Sequence, residues 1–315
     1  MKKTMVILAV IFIVIFAVGV FKDQIIKSVI TVVATQVTGA PVHIDGFSLG
    51  VFSQSARISG FKMYNPKGFS QGILVYLPKI RVKYDLGALL KKKLHLLNVE
   101  IEIKEIGLER NAEGKLNADE LKVVKQGKEK KSKPAEQMPM QIDMLTLGIG
   151  RIVSKDYVQA KEPIVKVYDL NIRKSYKNIT SAQQLAALIV AEPMKAAGIQ
   201  GAKIYGAAML TGVAVLPVAV AVTFIGRDSV QQDFSATFNN AYEEVLRVLK
   251  RQGKVAREDK AKGTISATIN SAQVYARIIK KAANKAQVVI SARKYLFPKP
   301  EIAGGILYEV SEKLR

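Results

Sequence analysis

The chain has 315 residues, enough for about two ordinary domains, with 48 Lys+Arg against 26 Asp+Glu, a formal charge of +22 and 49% hydrophobic residues. It has no cysteine, no tryptophan and two histidines, His43 and His95. These counts exclude a disulfide scaffold, a thiolate zinc site, a cysteine nucleophile and a histidine-rich metal centre, and the apolar share excludes wholesale disorder.

Lys2 and Lys3 precede an uninterrupted apolar run at residues 5–21, 17 residues that would span about 25 Å as a helix. A cleaved signal peptide is the alternative, with Ala17 and Gly19 as the small residues. The run is long for such a leader. It also continues at helical spacing through Ile25, Ile26, Val29, Ile30, Val33 and Val37, until Gly39 and Pro41 stop it. Residues 1–21 therefore read as a transmembrane anchor of the inner (cytoplasmic) membrane, single-pass, with the bulk of the chain periplasmic or extracytoplasmic. That placement removes nucleic acid as a partner. The 28 basic and 17 acidic side chains of residues 22–200 then point to membrane lipid, anionic phospholipid in particular.

From Val42 the apolar period changes from 3.6 to 2. Lys79-Ile80-Arg81-Val82-Lys83-Tyr84 alternates, as does Leu97-Asn98-Val99-Glu100-Ile101-Glu102-Ile103-Lys104. Both segments predict strands with one apolar and one charged face. The apolar set then slips to Ile106 and Leu108, which predicts a bulge or bend near Glu105. Leu86-Gly87-Ala88-Leu89-Leu90-Lys91-Lys92-Lys93 reads as a short helical connection, with Lys91, Lys92 and Lys93 as its solvated end and headgroup contact as the alternative. About eight strands fit between Val42 and Arg173 at ordinary strand length.

Several segments in this region resemble a family. They are the N-terminal apolar helix, Thr38-Gly39-Ala40-Pro41-Val42-His43-Ile44, and Ile58-Ser59-Gly60-Phe61-Lys62-Met63-Tyr64-Asn65-Pro66-Lys67-Gly68-Phe69. Asp85-Leu86 and Gly114-Lys115-Leu116-Asn117 follow. Over residues 1–121 the chain resembles the AsmA-like envelope proteins, relatives of the bridge-like lipid-transfer proteins. The resemblance implies a curved antiparallel β-sheet groove whose apolar concave face takes up acyl chains. The candidate lipid groove is then Ile80, Val82, Tyr84, Leu97, Val99, Ile101 and Ile103. On pattern alone, a sandwich core would give the same alternation. Asn65-Pro66-Lys67-Gly68-Phe69 reads mechanically as a turn, with Asn65 able to cap it.

Residues 122–140 form a basic linker. Strands resume over 142–152 and 163–173. Residues 181–197 predict a helix capped by Ser181 or Thr180 and bent at Pro193. Residues 205–225, within an apolar segment 201–226, carry no charge. Their length suits a second span, whereas Pro217 and the Val218-Ala219-Val220-Ala221-Val222 alternation suit a buried strand or hairpin, the reading taken here. The tail, 227–315, predicts a small α-β-β-β-α domain. Its first helix carries Phe238, Tyr242, Val245 and Leu249. The strands are centred on Ala267, Ala276 and Ile290, and Pro300 opens the last helix. That order resembles small bacterial envelope domains of unassigned function.

No P-loop, zincin, nucleophile-elbow or EF-hand pattern occurs. His43 with Asp45, and Glu100 with Glu102, share strand faces, and each reads as polar surface before it reads as a site. The sequence thus predicts an α+β, non-enzymatic, membrane-anchored envelope protein without cofactor or metal. It would bind or transfer lipid, or support envelope assembly. A scaffold that binds envelope protein partners is the alternative.

Overall fold

A computed structural model describes residues 22–122, 139–158, 162–199 and 229–314. The chain is α+β, mostly strands in two sheets. No helix among the described residues is long and apolar enough to cross a membrane. The expected anchor at 5–21, the run at 205–225 and most of the basic linker lie outside the described residues.

A helix over 22–38, α1, leads into the first sheet. Its strands are β1 (Val42–Gly50), β2 (Ser55–Tyr64), β3 (Ile73–Tyr84), β4 (Leu94–Arg110), β5 (Met140–Asp156) and β6 (Ile164–Ile179), hydrogen-bonded in chain order. A short helix, α2 (Leu86–Leu90), joins β3 to β4 and is capped by Asp85, which accepts from the Ala88 N–H. The sheet holds six strands where about eight were expected, because β4 and β5 run for 17 residues each. It is also not antiparallel throughout. β4 and β5 are parallel, in register from Leu94↔Met140 to Arg110↔Asp156. A parallel pair needs a return connection of a dozen or more residues, and residues 111–139 supply it.

The predicted slip near Glu105 is a crease through the whole sheet. The buried set changes from Ile80 and Tyr84 to Leu77 and Val75 in β3. In β4 it changes from Val99, Ile101 and Ile103 to Ile106 and Leu108, and in β5 from Leu145, Leu147 and Ile149 to Ile152. The β3–β4 and β4–β5 registers continue unshifted through this line, so neighbouring strands turn over together. Gly60 of β2 lies on the same line at φ +62°, where a Cβ would stand 1.9 Å from an Asp45 carboxylate oxygen.

The apolar face is covered. α3 (Ala182–Ala196), capped by Ser181 accepting from the Gln184 N–H, lays Ala187, Leu188, Val190, Ala191 and Met194 on it, and Pro193 sits within the helix without ending it. Ile30 and Ala34 of α1 pack on the same core.

In the tail, β7 (Ser229–Phe234) precedes α4 (Phe238–Gln252), followed by β8 (Lys254–Asp259), β9 (Thr264–Ile269), β10 (Ala272–Ala282), β11 (Lys285–Lys294), β12 (Phe297–Pro298) and α5 (Pro300–Lys313). The expected α-β-β-β-α order therefore lacks β7, β8 and β12. These are edge strands or stubs that bury little, so they carry no alternation to read. Tyr242, Val245, Val248 and Leu249 of α4 fill the core with Ile302, Ile306 and Val310 of α5. The other side of α5 meets the first sheet. Gly304 and Gly305 lie against Val165 and Val167 of β6, and Tyr308 joins the Val153, Val165 and Val167 cluster. Tyr308 also stacks on Arg151 and donates to Glu105 at 3.4 Å. Burial, with Glu105 beside it, pushes its hydroxyl up to about 12.

Candidate functional site

Six of the seven candidate groove residues lie on the inner face of the sheet. Ile80, Tyr84, Val99, Ile101 and Ile103 are buried, and Val82 packs against the same core. Leu97 departs from them. It is 43% exposed, while Leu96 packs inward in its place, because the β3–β4 register shifts by one between Lys83 and Tyr84. The face that the sequence marks as apolar is therefore continuous, but its surface is occupied by α1 and α3.

One ion pair helps hold the cover. Lys174 of β6 reaches Glu192 of α3 at 2.7 Å, with the Glu192 side chain 2% exposed. Nothing in the sequence pattern marked Glu192, since it sits in an Ala-rich helix whose orientation only the packing fixes. A carboxylate this deep persists because the ammonium compensates it; losing either partner would leave a buried charge unpaired.

The two family-like motifs meet in space. After β2 the chain turns at Asn65-Pro66-Lys67-Gly68, with Gly68 at φ +94°, and the Asn65 N–H bonds the Gly72 carbonyl at 2.9 Å. Glu109, 5% exposed near the end of β4, accepts from the Ser70 backbone N–H at 2.8 Å, the Ser70 hydroxyl and Asn65 Nδ2. Asn117, in a 3₁₀ turn over Asn117–Glu120, donates to Asn65 Oδ1 and to the Gly107 carbonyl, both at 2.8 Å. The Asn-Pro-x-Gly-Phe and Gly-Lys-Leu-Asn segments thus form one polar lock that closes this end of the sheet. Its groups satisfy each other, which marks it as architecture. The sequence marked the turn and the segment ending in Asn117 but not Glu109, nor that the three meet, since the bonds joining Ser70 to Glu109 and Asn65 to Asn117 span 39 and 52 residues.

The histidines are surface groups in carboxylate company. His43 Nε2 lies 3.2 Å from Asp45, which also pairs with Lys62 at 3.1 Å. His95, at the start of β4, bridges Asp143 of β5 at 2.8 Å and Asp85 at 3.5 Å. The Asp143 hydrogen bond, then Asp85, holds the imidazolium and raises the His95 pKa. A raised folded-state value means this tie contributes fully below about pH 6.5 and fades as pH climbs through the folded-state pKa. His95→Gln should therefore cost stability at pH 5.5 and progressively less above neutrality, read from urea melts across that range. A constant difference at every pH would refute the tie.

Glu100 pairs with Arg81 at 2.6 Å and Glu102 with Arg173 at 2.9 Å, so the two carboxylates act as separate surface partners. Among the described residues, no group of three or more His, Asp or Glu side chains could hold a metal ion. No protein-family model matches the chain, and no curated protein matches it.

Proposed function

We propose that the protein is a membrane-anchored, non-enzymatic envelope protein that handles lipid through the β1–β6 sheet, at the inner membrane with its bulk outside the cytoplasm. The observation that supports this is the construction of the apolar face. Six strands present one continuous apolar surface, and among the described residues its cover is two helices and a short turn rather than a second sheet. A helix is a separable cover. α3 is held by five buried apolar side chains, two of them alanines, and by the Lys174–Glu192 pair. In this reading α3 occupies the acyl-chain position and leaves it when lipid enters, and no cofactor is needed.

Native mass spectrometry of the full chain, purified in neutral detergent, tests the reading. Phospholipid should co-purify, and Glu192→Gln should raise its occupancy by weakening the cover. Absence of lipid from both proteins would sink the proposal. A second reading, an assembly scaffold that binds envelope protein partners, is favoured by the burial of Ile80, Val99 and Ile101. It predicts a lipid-free protein that depends on a closed core.

A further inference from the structure

The strand directions bring the β1–β2 turn, α2 and the start of α1 to one end of the first sheet. Lys22, which directly follows the apolar run 5–21, donates to the Leu49 carbonyl at 2.9 Å, and the Leu49 N–H donates to Asp23 at 3.0 Å. Beside this anchor point the turn exposes Phe52 completely, at 102%. α2 presents Leu90, 78% exposed, followed by the exposed Lys91, Lys92 and Lys93. Apolar tips beside a lysine run suit a bilayer interface with anionic headgroups. The tail lies at the far end of strands about 55 Å long.

At the same end, the outer face of β1–β4 forms a polar cleft of ≈ 370 Å³. Two cross-strand rows build it. Ser48, Arg57, Arg81 and Glu100 are successive partners, as are Gly50, Ser55, Lys83 and Asn98. Arg57 and Arg81 therefore stand directly opposite each other, an arrangement that repels unless an anion lies between them. Glu100 answers Arg81, while Arg57 and Lys83 have no acidic partner among the described residues. In the floor, Asn98 Oδ1 is buried and accepts no hydrogen bond. The site thus offers surplus cations for a phosphate and one unused acceptor for a hydroxyl.

We infer that this cleft binds the headgroup of an anionic phospholipid, a phosphodiester carrying a hydroxyl donor such as glycerol. The inference rests on the proposed reading that the Lys22 end faces the bilayer. Arg57, Arg81 and Lys83 hold the phosphate, and Asn98 accepts from the headgroup hydroxyl. Phe52 and Leu90 sit at the level of the interface.

Full-length protein in neutral detergent would be titrated with dihexanoyl phosphatidylglycerol, dihexanoyl phosphatidylcholine and inorganic phosphate, with binding read by native mass spectrometry. Phosphatidylglycerol should bind one per chain and at least tenfold more tightly than phosphatidylcholine. The Arg57→Ser/Lys83→Ser double variant should lose that preference at least tenfold. A charge-matched Lys67→Ser/Lys115→Ser control, at the opposite end, should keep it. Both altered side chains are exposed, so an unchanged melting temperature confirms that the fold is intact. Equal binding of the two lipids, or a preference that survives the double variant, overturns the headgroup site. Displacement by inorganic phosphate at matching concentration assigns the cleft to a free anion and overturns the lipid source. These outcomes are independent of co-purified long-chain lipid, which tests the apolar face instead.

Discussion

Val99→Asp is expected to unfold the β1–β6 sheet, whereas Leu97→Asp, two residues along the same strand, should be nearly silent. Val99 is 3% exposed beneath the helical cover. Its replacement forfeits about 2 kcal/mol of apolar burial and forces a carboxylate into a site without a cationic partner, a further several kcal/mol. That sum approaches the lower end of the 5–15 kcal/mol on which a typical domain rests. Leu97, 43% exposed on the other face, should change stability by about 0.5 kcal/mol or less. Urea denaturation with limited proteolysis would give both values. If the aspartate at 99 were tolerated as well as that at 97, the face would stand open in solution and the closed arrangement would be a minor state. The pair of variants therefore separates a lipid-accessible sheet from a permanently closed one.

The second large effect is expected where α5 crosses β6. A Cβ on Gly305 would fall 1.9 Å from the Val165 carbonyl oxygen and 2.6 Å from its carbon, both backbone atoms that cannot rotate away. Gly305→Ala should therefore cost about 2–3 kcal/mol, even after the roughly 1 kcal/mol that alanine gains over glycine in a helix. Gly304 is the internal control. Its added Cβ would meet the Val167 Cβ at 3.3 Å, which a few tenths of an ångström relieve, and the Val167 carbonyl oxygen at an ordinary 3.6 Å. Gly304→Ala should consequently be neutral or stabilising. Calorimetry should also show the coupling between the sheets weakening in the Gly305 variant alone. An unchanged transition in that variant would mean that α5 rides loosely on β6.

Much of the architecture is written in local pattern. The alternation at Lys79 to Tyr84 and Leu97 to Lys104 marked strands because a pleated strand sends successive side chains to opposite faces. Ser181 and Pro300 marked helix starts because unpaired amide groups there need an acceptor, or a residue without a donor. The slip after Lys104 was legible for the same reason as the strand itself. Its extent was not. That β2, β3 and β5 turn over on the same line depends on which residues lie side by side, and register is a property of the assembled sheet. The parallel β4–β5 pair is similar, since a long linker permits either direction and only packing selects one.

The site divides along the same boundary. Composition excluded, without any structure, thiol chemistry and a histidine-rich metal centre, and the run at 5–21 made a membrane the expected setting. One-sided strands determined that an apolar face exists. Whether that face meets solvent, lipid or helix is decided by where residues 182–196 come to rest, and a helix's docking site is not encoded in its own period. Likewise Arg57, Arg81 and Lys83 are three ordinary surface cations in the sequence, Arg57 standing 24 and 26 residues before the other two on a separate strand. Cross-strand pairing brings them within one cleft, where among the described residues Glu100 answers Arg81 alone and the charges of Arg57 and Lys83 stay uncompensated, because hydrogen-bonded strands place distant residues about 5 Å apart. Local chemistry thus fixed the elements and their faces, while long-range pairing alone fixed which charges meet and which surfaces are covered.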